Sequence, residues 1–305
     1  MSDNIDWAAL AKTNYDDIEC DPEIYDTREA IIRQNRIVDP KVAQEFAEQP
    51  RDEETRKFRS RQQAKYLPKP EWIIKDLVQD GSNIAIYAPS GFLKSFVAID
   101  IALSLATGEQ VFGTLPVAKT GGVFYSAGEG QRNVEDKRIT AWELAHGFEA
   151  FSLPNVWTGA SFIVNDDRTI EGDISEICRL VRGNSPIAAF IDTKAIALNG
   201  LDEDKSHVAS RYFNFLQKLK KETGISTTVT IGHFGKDLSR LERGSSAFRA
   251  GFDTIFHIQN LRKDDETGCH TLELHVSKQK DADDGRSSIS NQNGLNCQMA
   301  KPRWC

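Results

Sequence analysis

Hydrophobic and polar positions alternate along residues 67–285 with two different periods, one typical of strands and the other of helices. Short apolar runs bounded by small or polar residues predict strands that are buried on both faces. Apolar positions spaced three and four residues apart predict helices that each bury one face. The predicted strands are 83–87, 121–126, 187–191, 225–231, 254–258 and 271–277, and the predicted helices are 94–107, 133–146, 174–181 and 206–223.

Strands that alternate with helices predict an α/β fold in which helices cover both faces of a mostly parallel central sheet. Residues 271–277 alternate between apolar and polar positions, as an edge strand does. In such sheets, ligands bind beyond the carboxyl ends of the strands. Polar side chains follow several of the predicted strands, so we expect the chemistry to lie at that edge of the sheet.

The segments on either side of this core have a different composition. Residues 1–66 are mostly polar, acidic at first and basic near their end, with one predicted helix at 30–49. We interpret them as an N-terminal arm and linker. The arm either remains solvated without a partner or docks on a neighbouring subunit or on nucleic acid. Pro68 and Pro70 mark the boundary with the core domain at 67–285. Residues 286–305 form a polar tail without predicted regular structure.

Composition excludes several classes of protein. The net charge of −7 and the pI near 5.5 are unlike those of a protein coated with basic surface for nucleic acid, so any contact with DNA or RNA must be local. The five cysteines are scattered without a C-x-x-C pair. This argues against a zinc site and a disulfide framework, and it fits the reducing cytoplasm. No apolar run approaches the roughly 20 residues that span a bilayer, so we expect no membrane partner.

The stretch NIAIYAPSGFLKSFV at 83–97 joins a buried strand, a turn of small residues and the start of a helix. It aligns with the phosphate-loop pattern G-x-x-x-x-G-K-[ST], in which Lys94 and Ser95 match but Ala88 and Leu93 replace the glycines. Backbone N–H groups at such a turn bind phosphate together with the helix N-terminus. The alternative is an ordinary strand–loop–helix with a chance Lys-Ser pair. The candidate nucleotide contacts are Ala88, Pro89, Ser90, Gly91, Phe92, Leu93, Lys94, Ser95 and Phe96.

Acidic residues after two other strands supply what a phosphate loop needs for hydrolysis. Lys94 would contact the β- and γ-phosphates, while the Ser95 hydroxyl and the Asp192 carboxylate would hold Mg²⁺. Glu129, which small residues flank in SAGEGQR, would orient or deprotonate the attacking water. The alternatives are an Asp192 that is structural, with its hydrogen bonds satisfied, and a Glu129 that is an ordinary exposed loop residue.

A histidine and a basic loop follow the strand at 225–231. His233 would sense the γ-phosphate and pass that state to the loop behind it, although a lone histidine is more often structural. The loop contains Lys236, Arg240 and Arg243. We predict that these side chains face nucleic-acid phosphates, and the alternative is a solvated loop of mixed charge.

Lys278 and Lys280 stand at the end of the last predicted strand as K-x-K. Side chains two residues apart on a strand point the same way, so both ammonium groups would reach one target. In a monomer they would form a basic edge that discourages strand pairing. In a ring they would act on the neighbouring subunit's γ-phosphate, as an arginine finger does.

Three segments in succession, FIDTKAIALNGLDEDKS, TVTIGHFGKD and RGSSAFRAGFDTIFHI, carry a resemblance to a known family. The chain resembles the RecA-like hexameric ATPases of the RepA type, which are replicative helicases of plasmids and phages. That family shows a strand followed by Asp-Thr, a Gly-x-Asp-Glu loop, a strand that ends in His, a Gly-Lys-Asp turn and Arg-Gly-Ser-Ser-Ala. The likeness extends from Pro68 to Gly285, and the chain departs from the family at the two phosphate-loop glycines.

The resemblance implies a RecA-like P-loop NTPase core that binds ATP and Mg²⁺. It also implies a role for each candidate residue. These roles are phosphate and Mg²⁺ binding by Lys94 and Ser95, catalytic base for Glu129, second Mg²⁺ ligand for Asp192, phosphate sensor for His233, action on the neighbour's nucleotide for Lys278 and Lys280, and packing on adenine for Arg138.

We therefore expect an ATP-hydrolysing ring helicase, a homo-hexamer that moves single-stranded DNA in plasmid or phage replication. A replication initiator or loader is a further expected partner, because no primase module is recognisable before the core. A RecA-like recombinase or recombination mediator that forms filaments would use the same residues. A third alternative is a nucleotide-dependent binding or regulatory module without turnover.

Overall fold

The computed structural model describes residues 61, 71–75, 77–89, 91–181, 186–235, 244–263, 270–280 and 295–299. The chain divides into two units, Met1–Pro68 and Lys69–Cys305, and the elements below belong to the second. The predicted arm at 1–66, apart from residue 61, and its helix at 30–49 lie outside the described residues. No helix in the described part of the chain is long and apolar enough to cross a membrane.

The elements follow one another in the order that the hydrophobic pattern predicts, with additions. In chain order they are β1 (Trp72–Ile74), β2 (Val78–Gln79), β3 (Asn83–Ala88), α1 (Lys94–Thr107), β4 (Val123–Ala127), α2 (Gln131–Asn133, Val134–Ile139 and Thr140–Ala145, the middle part a π-helix), β5 (Val156–Ala160), α3 (Asp167–Val181), β6 (Ala188–Asp192), α4 (Lys194–Leu198), α5 (Ser206–Thr223), β7 (Thr227–His233), α6 (Ser246–Gly251), β8 (Thr254–Lys263), β9 (His270–Gln279) and β10 (Leu295–Met299).

One large sheet organises this unit, with the strand order β10-β9-β8-β3-β7-β6-β4-β5. The strands from β8 to β5 in this order are parallel to one another, and β9 pairs antiparallel with both β8 and β10. The prediction of a mostly parallel sheet in an α/β core is confirmed. Because Ala88 pairs with His233 and Ala127 pairs with Asp192, the carboxyl ends of β3, β7, β4 and β6 share one edge.

Helices cover the two faces of the sheet with separate apolar cores. On one face, Ile86, Tyr125 and Phe190 pack with α1 and with the apolar residues of β1 and β2. On the other face, the residues of β6 pack with α3 and α5. Helix α1 is apolar on nearly all sides because it lies between the sheet and α2. Each fully buried aliphatic side chain in these cores contributes about 1.5–3 kcal/mol.

Helix α3 begins seven residues before its predicted start at residue 174, at Asp167. The Asp166 carboxylate accepts hydrogen bonds from the Arg168 N–H and the Thr169 hydroxyl. An acidic cap of this kind satisfies N–H groups that the first helical turn leaves without partners. The apolar spacing from Ile170 to Val181 then runs through the whole helix, so the sequence contained the signal for the earlier start.

Six short elements were not predicted: β1, β2, β5, α4, α6 and β10. Strand β5 is only half-buried, so its sequence VWTGA lacks the apolar run that marked the other strands. The prediction that residues 286–305 lack regular structure was wrong at residues 295–299, because β10 pairs with β9 there. For the same reason the prediction of an edge strand at 271–277 was wrong, since β9 lies between β8 and β10.

Candidate active site

The turn between β3 and α1 lacks the pattern glycines of a phosphate loop, yet two of its described residues have left-handed backbone. Gly91 and Leu93 both have positive φ, at 82° and 53°. The left-handed conformation costs a residue with a Cβ roughly 1–2 kcal/mol, and the Leu93 side chain offsets this by packing partly buried against the core. Leu93 therefore adopts the conformation that a glycine favours, and α1 begins directly after it.

Lys94 lies at the first position of α1 and folds back on the loop. Its Nζ donates a hydrogen bond of 3.0 Å to the Pro89 carbonyl, and only 7% of the residue is exposed. Burial lowers the pKa of Lys94, while the nearby charges of Asp192 and Glu129 oppose that shift. The ammonium group thus lies inside the turn and within the field of the two predicted acids.

Asp192 ends β6 as a buried carboxylate with a tyrosine as its partner. The Tyr125 hydroxyl of β4 donates a hydrogen bond of 2.8 Å to Asp192 Oδ2. Burial, reinforced by the charge of Asp192, raises the pKa of Tyr125 well above its usual range, so the phenol remains a neutral donor. The carboxylate of Asp192, a predicted Mg²⁺ ligand, is therefore held by a hydroxyl group of the neighbouring strand.

Glu129 lies in the loop after β4, and its position depends on tight packing at Gly128. The Gly128 N–H donates to the Asp192 carbonyl. A Cβ on Gly128 would lie 3.0 Å from that carbonyl oxygen and 2.9 Å from the Ile196 side chain, so no larger residue fits. Glu129 itself is exposed, which leaves its carboxylate accessible to water and to a bound phosphate.

His233 ends β7 directly beside the phosphate loop. It pairs in register with Ala88, the first residue of the loop. The next residue, Phe234, donates its N–H to the Ala88 carbonyl over 3.2 Å. The predicted sensor is thus attached to the loop by the backbone.

Some predicted contacts lie outside the described residues. They are Ser90 of the phosphate loop and the three basic residues predicted to contact nucleic acid, Lys236, Arg240 and Arg243.

Arg138 projects from the π-helical part of α2 towards the start of α1. Its guanidinium lies over the Phe96 ring, 5.2 Å from the ring centre, and its charge acts on Tyr125. Arg138 is therefore close to the phosphate loop, and Phe96 is its stacking partner in this structure. A π-helical turn of this kind is frequent at functional sites.

Lys278 and Lys280 lie at the opposite end of the sheet from all these residues. Lys278 pairs in register with Ile255 near the start of β8. Lys278 Nζ donates to the carbonyls of the last turn of α6, and Lys280 Nζ forms an ion pair of 2.9 Å with Asp253. Within the protomer the two ammonium groups contact different groups, and their action on a neighbouring subunit's γ-phosphate stays a prediction.

A match to a known protein family agrees with this geometry. A family model described as an AAA domain matches residues 49–239, which is more than half of the chain. The chain belongs to the AAA domain family. It is therefore a member of a P-loop ATPase family, and the match ends before β8 and β9. No curated protein matches the chain.

The donors in this AAA domain fit a nucleotide with a magnesium ion. No group of three or more His, Cys, Asp or Glu side chains that could hold a metal occurs among the described residues. A hydroxyl and a single carboxylate, Ser95 and Asp192, match the way Mg²⁺ binds through one or two protein oxygens plus substrate phosphates. Ser95 and Asp192 would therefore hold Mg²⁺, with Lys94 and the backbone of the turn at the phosphates.

Sequence reasoning missed two features of this AAA domain. Tyr125 stands four residues before Glu129 in GGVFYSAGE. The available signal was a tyrosine hydroxyl in a buried and mostly apolar strand. Lys194 and Glu203 form a buried ion pair of 3.1 Å behind the site. A lysine two residues after the strand-end Asp192 gave no signal of its own, because its partner is set by the tertiary fold.

Proposed function

We propose that the chain is an ATP-hydrolysing motor that assembles into a hexameric ring and moves single-stranded DNA as a replicative helicase of a plasmid or phage. The observation that carries this proposal is the hydrogen bond from the Phe234 N–H to the Ala88 carbonyl. It links the first residue of the phosphate loop to the strand end that leads into Lys236, Arg240 and Arg243. A change in the phosphate loop would thus reach the candidate DNA-binding residues through one backbone contact.

The residues at the carboxyl edge of the sheet supply the groups for hydrolysis. Lys94 would exchange its contact with the Pro89 carbonyl for the β- and γ-phosphates. Glu129, which is exposed near Lys94, would orient the attacking water. Mg²⁺, when bound, neutralises charge on the phosphate oxygens. His233 would respond to loss of the γ-phosphate because it pairs in register with the loop.

Head-to-tail assembly is favoured by the position of Lys280. Its partner Asp253 accepts a hydrogen bond from the N–H of Asn83, the first residue of β3, while the phosphate loop follows the last residue, Ala88. A strand of this length separates the two ends by roughly 17 Å, so Lys280 does not reach the nucleotide of its own protomer. Action on a neighbour's nucleotide needs a heterologous interface, and such an interface closes into a ring or continues as a filament.

The test is ATP hydrolysis by the purified full-length chain with Mg²⁺, with and without single-stranded DNA. We expect DNA to stimulate the rate at least about tenfold, because a motor couples turnover to its track. Lys94→Ala and Glu129→Gln should each abolish the stimulated rate, in line with losses of about 10²-fold or more for removal of a catalytic group. Glu176→Gln is the matched control, since Glu176 is an exposed residue of α3 on the other face of the sheet.

The outcomes separate the proposal from its alternatives. Hydrolysis that DNA does not change would contradict a motor and favour a regulatory ATPase. Wild-type hydrolysis by Lys94→Ala would refute the site assignment. Electron microscopy of the DNA-bound protein distinguishes closed rings from the helical filaments of a recombinase, and unwinding of a forked duplex tests the helicase step itself.

A further inference from the structure

A buried tyrosine hydroxyl holds the carboxylate that would bind Mg²⁺. Tyr125 lies on β4 and is fully buried. Its ring stacks on Phe190 of β6 at 5.8 Å between ring centres, and these two residues pair in register. Asp192 stands two residues after Phe190 and therefore faces the same side of the sheet, the side that α1 covers.

We propose that Tyr125 is a positioning residue that orients Asp192 towards Mg²⁺. The inference rests on the proposed function, because it deepens the assignment of the nucleotide site. Tyr125 would act without touching the nucleotide or the metal. It fixes the direction in which Asp192 presents its carboxylate oxygens.

The hydrogen-bond direction supports this role. A carboxylate only accepts, so the Tyr125 hydroxyl donates to Asp192 Oδ2 over 2.8 Å. This bond occupies one of the two carboxylate oxygens, and it leaves Oδ1 as the oxygen that would bind the metal.

A purely structural role for Tyr125 makes a different prediction. The ring fills the core beside Phe190, and Tyr125→Phe retains that packing. If the hydroxyl only satisfied a buried carboxylate, its loss would lower the thermal stability without changing how nucleotide binding depends on Mg²⁺. If the hydroxyl orients the Asp192 carboxylate, its loss changes specifically how nucleotide binding depends on Mg²⁺. Outer-shell partners of metal ligands change metal affinity by about 10–100-fold when they are removed.

The experiment measures binding of a fluorescent, non-hydrolysable ATP analogue to the full-length chain, without turnover. The analogue is titrated in excess chelator and over a series of free Mg²⁺ concentrations. For Tyr125→Phe we expect the Mg²⁺ concentration at half-maximal enhancement to rise at least about tenfold. Binding in chelator should remain within about twofold of wild type, because Lys94 and the loop backbone are unchanged.

Tyr212→Phe is the matched control. Tyr212 is also fully buried, and its hydroxyl shares a hydrogen bond of 2.9 Å with Thr230 in the core on the other face of the sheet. It should lose comparable thermal stability and keep the wild-type Mg²⁺ dependence. In an Asp192→Asn background, Tyr125→Phe should cause no further loss, since the group that it orients is gone.

The results distinguish failure of this inference from failure of the proposed function. A wild-type chain that does not bind the analogue, or binds it without any Mg²⁺ enhancement, would overturn the nucleotide site itself. A wild-type Mg²⁺ dependence in Tyr125→Phe would overturn the positioning role alone. Equal weakening of Tyr125→Phe with and without Mg²⁺ would also overturn it, because that result indicates a general disturbance of the fold.

Discussion

Removal of the Lys194 ammonium group should destabilise the fold strongly. Lys194, the first residue of α4, is 1% exposed, and its ammonium lies 3.1 Å from the Glu203 carboxylate, which is 9% exposed. The ammonium also lies 4.0 Å from the centre of the Phe248 ring. Lys194→Met retains most of the side-chain volume. It leaves the Glu203 carboxylate buried without this cation and takes the cation from the aromatic ring.

The magnitude follows from the burial of both partners. Breaking a buried ion pair by removing one member costs about 3–5 kcal/mol, because the remaining charge stays desolvated after it has lost that partner. At about 2–4 °C per kcal/mol for a unit of this size, the melting temperature should fall by roughly 6–20 °C. Lys194→Met with Glu203→Leu should recover most of the loss, since replacement of a whole buried pair by apolar residues is often neutral.

Urea denaturation followed by circular dichroism gives the free energy of unfolding for each variant. Lys205→Met is the control, because Lys205 is 61% exposed and lies 3.9 Å from an equally exposed Asp202. An exposed pair contributes less than about 1 kcal/mol. A loss below about 1 kcal/mol for Lys194→Met, or a double variant less stable than Lys194→Met alone, would refute the reasoning.

Three further predictions concern other parts of the chain. Lys280→Ala should reduce DNA-stimulated hydrolysis at least about tenfold with a stability loss below about 1 kcal/mol. Lys119→Ala, which removes a comparably exposed paired lysine, should leave the rate unchanged, and equal rates in the two variants would contradict a role for Lys280 in a neighbouring site. Leu93→Gly should be more stable than Leu93→Ala by about 1 kcal/mol in urea denaturation, because only glycine adopts φ of 53° without cost; the reverse order would contradict this. Burial lowers the pKa of Lys220 to about 8, so the unfolded chain binds more protons above that pH and stability should rise from pH 8 towards about 10. Lys220→Gln should flatten that rise, and an unchanged slope would refute the assignment.

Much of the core was predictable from the sequence because most of its strands are buried on both faces. The continuous apolar runs predicted β3, β6 and β7 to within two residues at each end. Strands β5 and β10 escaped prediction for a physical reason, since each is stabilised by pairing with a neighbour rather than by its own pattern. The short helices α4 and α6 are likewise set by tertiary contacts.

Much of the candidate site was also predictable, because the carboxyl ends of parallel strands share one edge. Lys94, Asp192 and Glu129 were each identified from a residue that follows a strand, and the charges of both acids act on the lysine. The sequence did not reveal Tyr125, because its role depends on the pairing of β4 with β6. Strand register depends on two segments that are distant in sequence, so the sequence of one strand alone does not predict it.

The backbone of Glu203 bears on coupling, whereas its side chain bears on stability. The Glu203 carbonyl accepts the Ser245 N–H over 2.8 Å, and Lys194 stands two residues after Asp192. Residues 236–243, with the three predicted DNA contacts, therefore lie in the chain between two segments held at the site, Phe234 at Ala88 and Ser245 at Glu203.

Ser245→Pro tests this attachment. Proline has no N–H to donate to the Glu203 carbonyl, and the φ of −59° at Ser245 suits its ring. We expect basal hydrolysis within about twofold of wild type and loss of most stimulation by single-stranded DNA. Full stimulation in a stable Ser245→Pro variant would show that coupling runs through the Phe234 end alone. The Phe234 N–H bond to Ala88 would then be the contact to disrupt next.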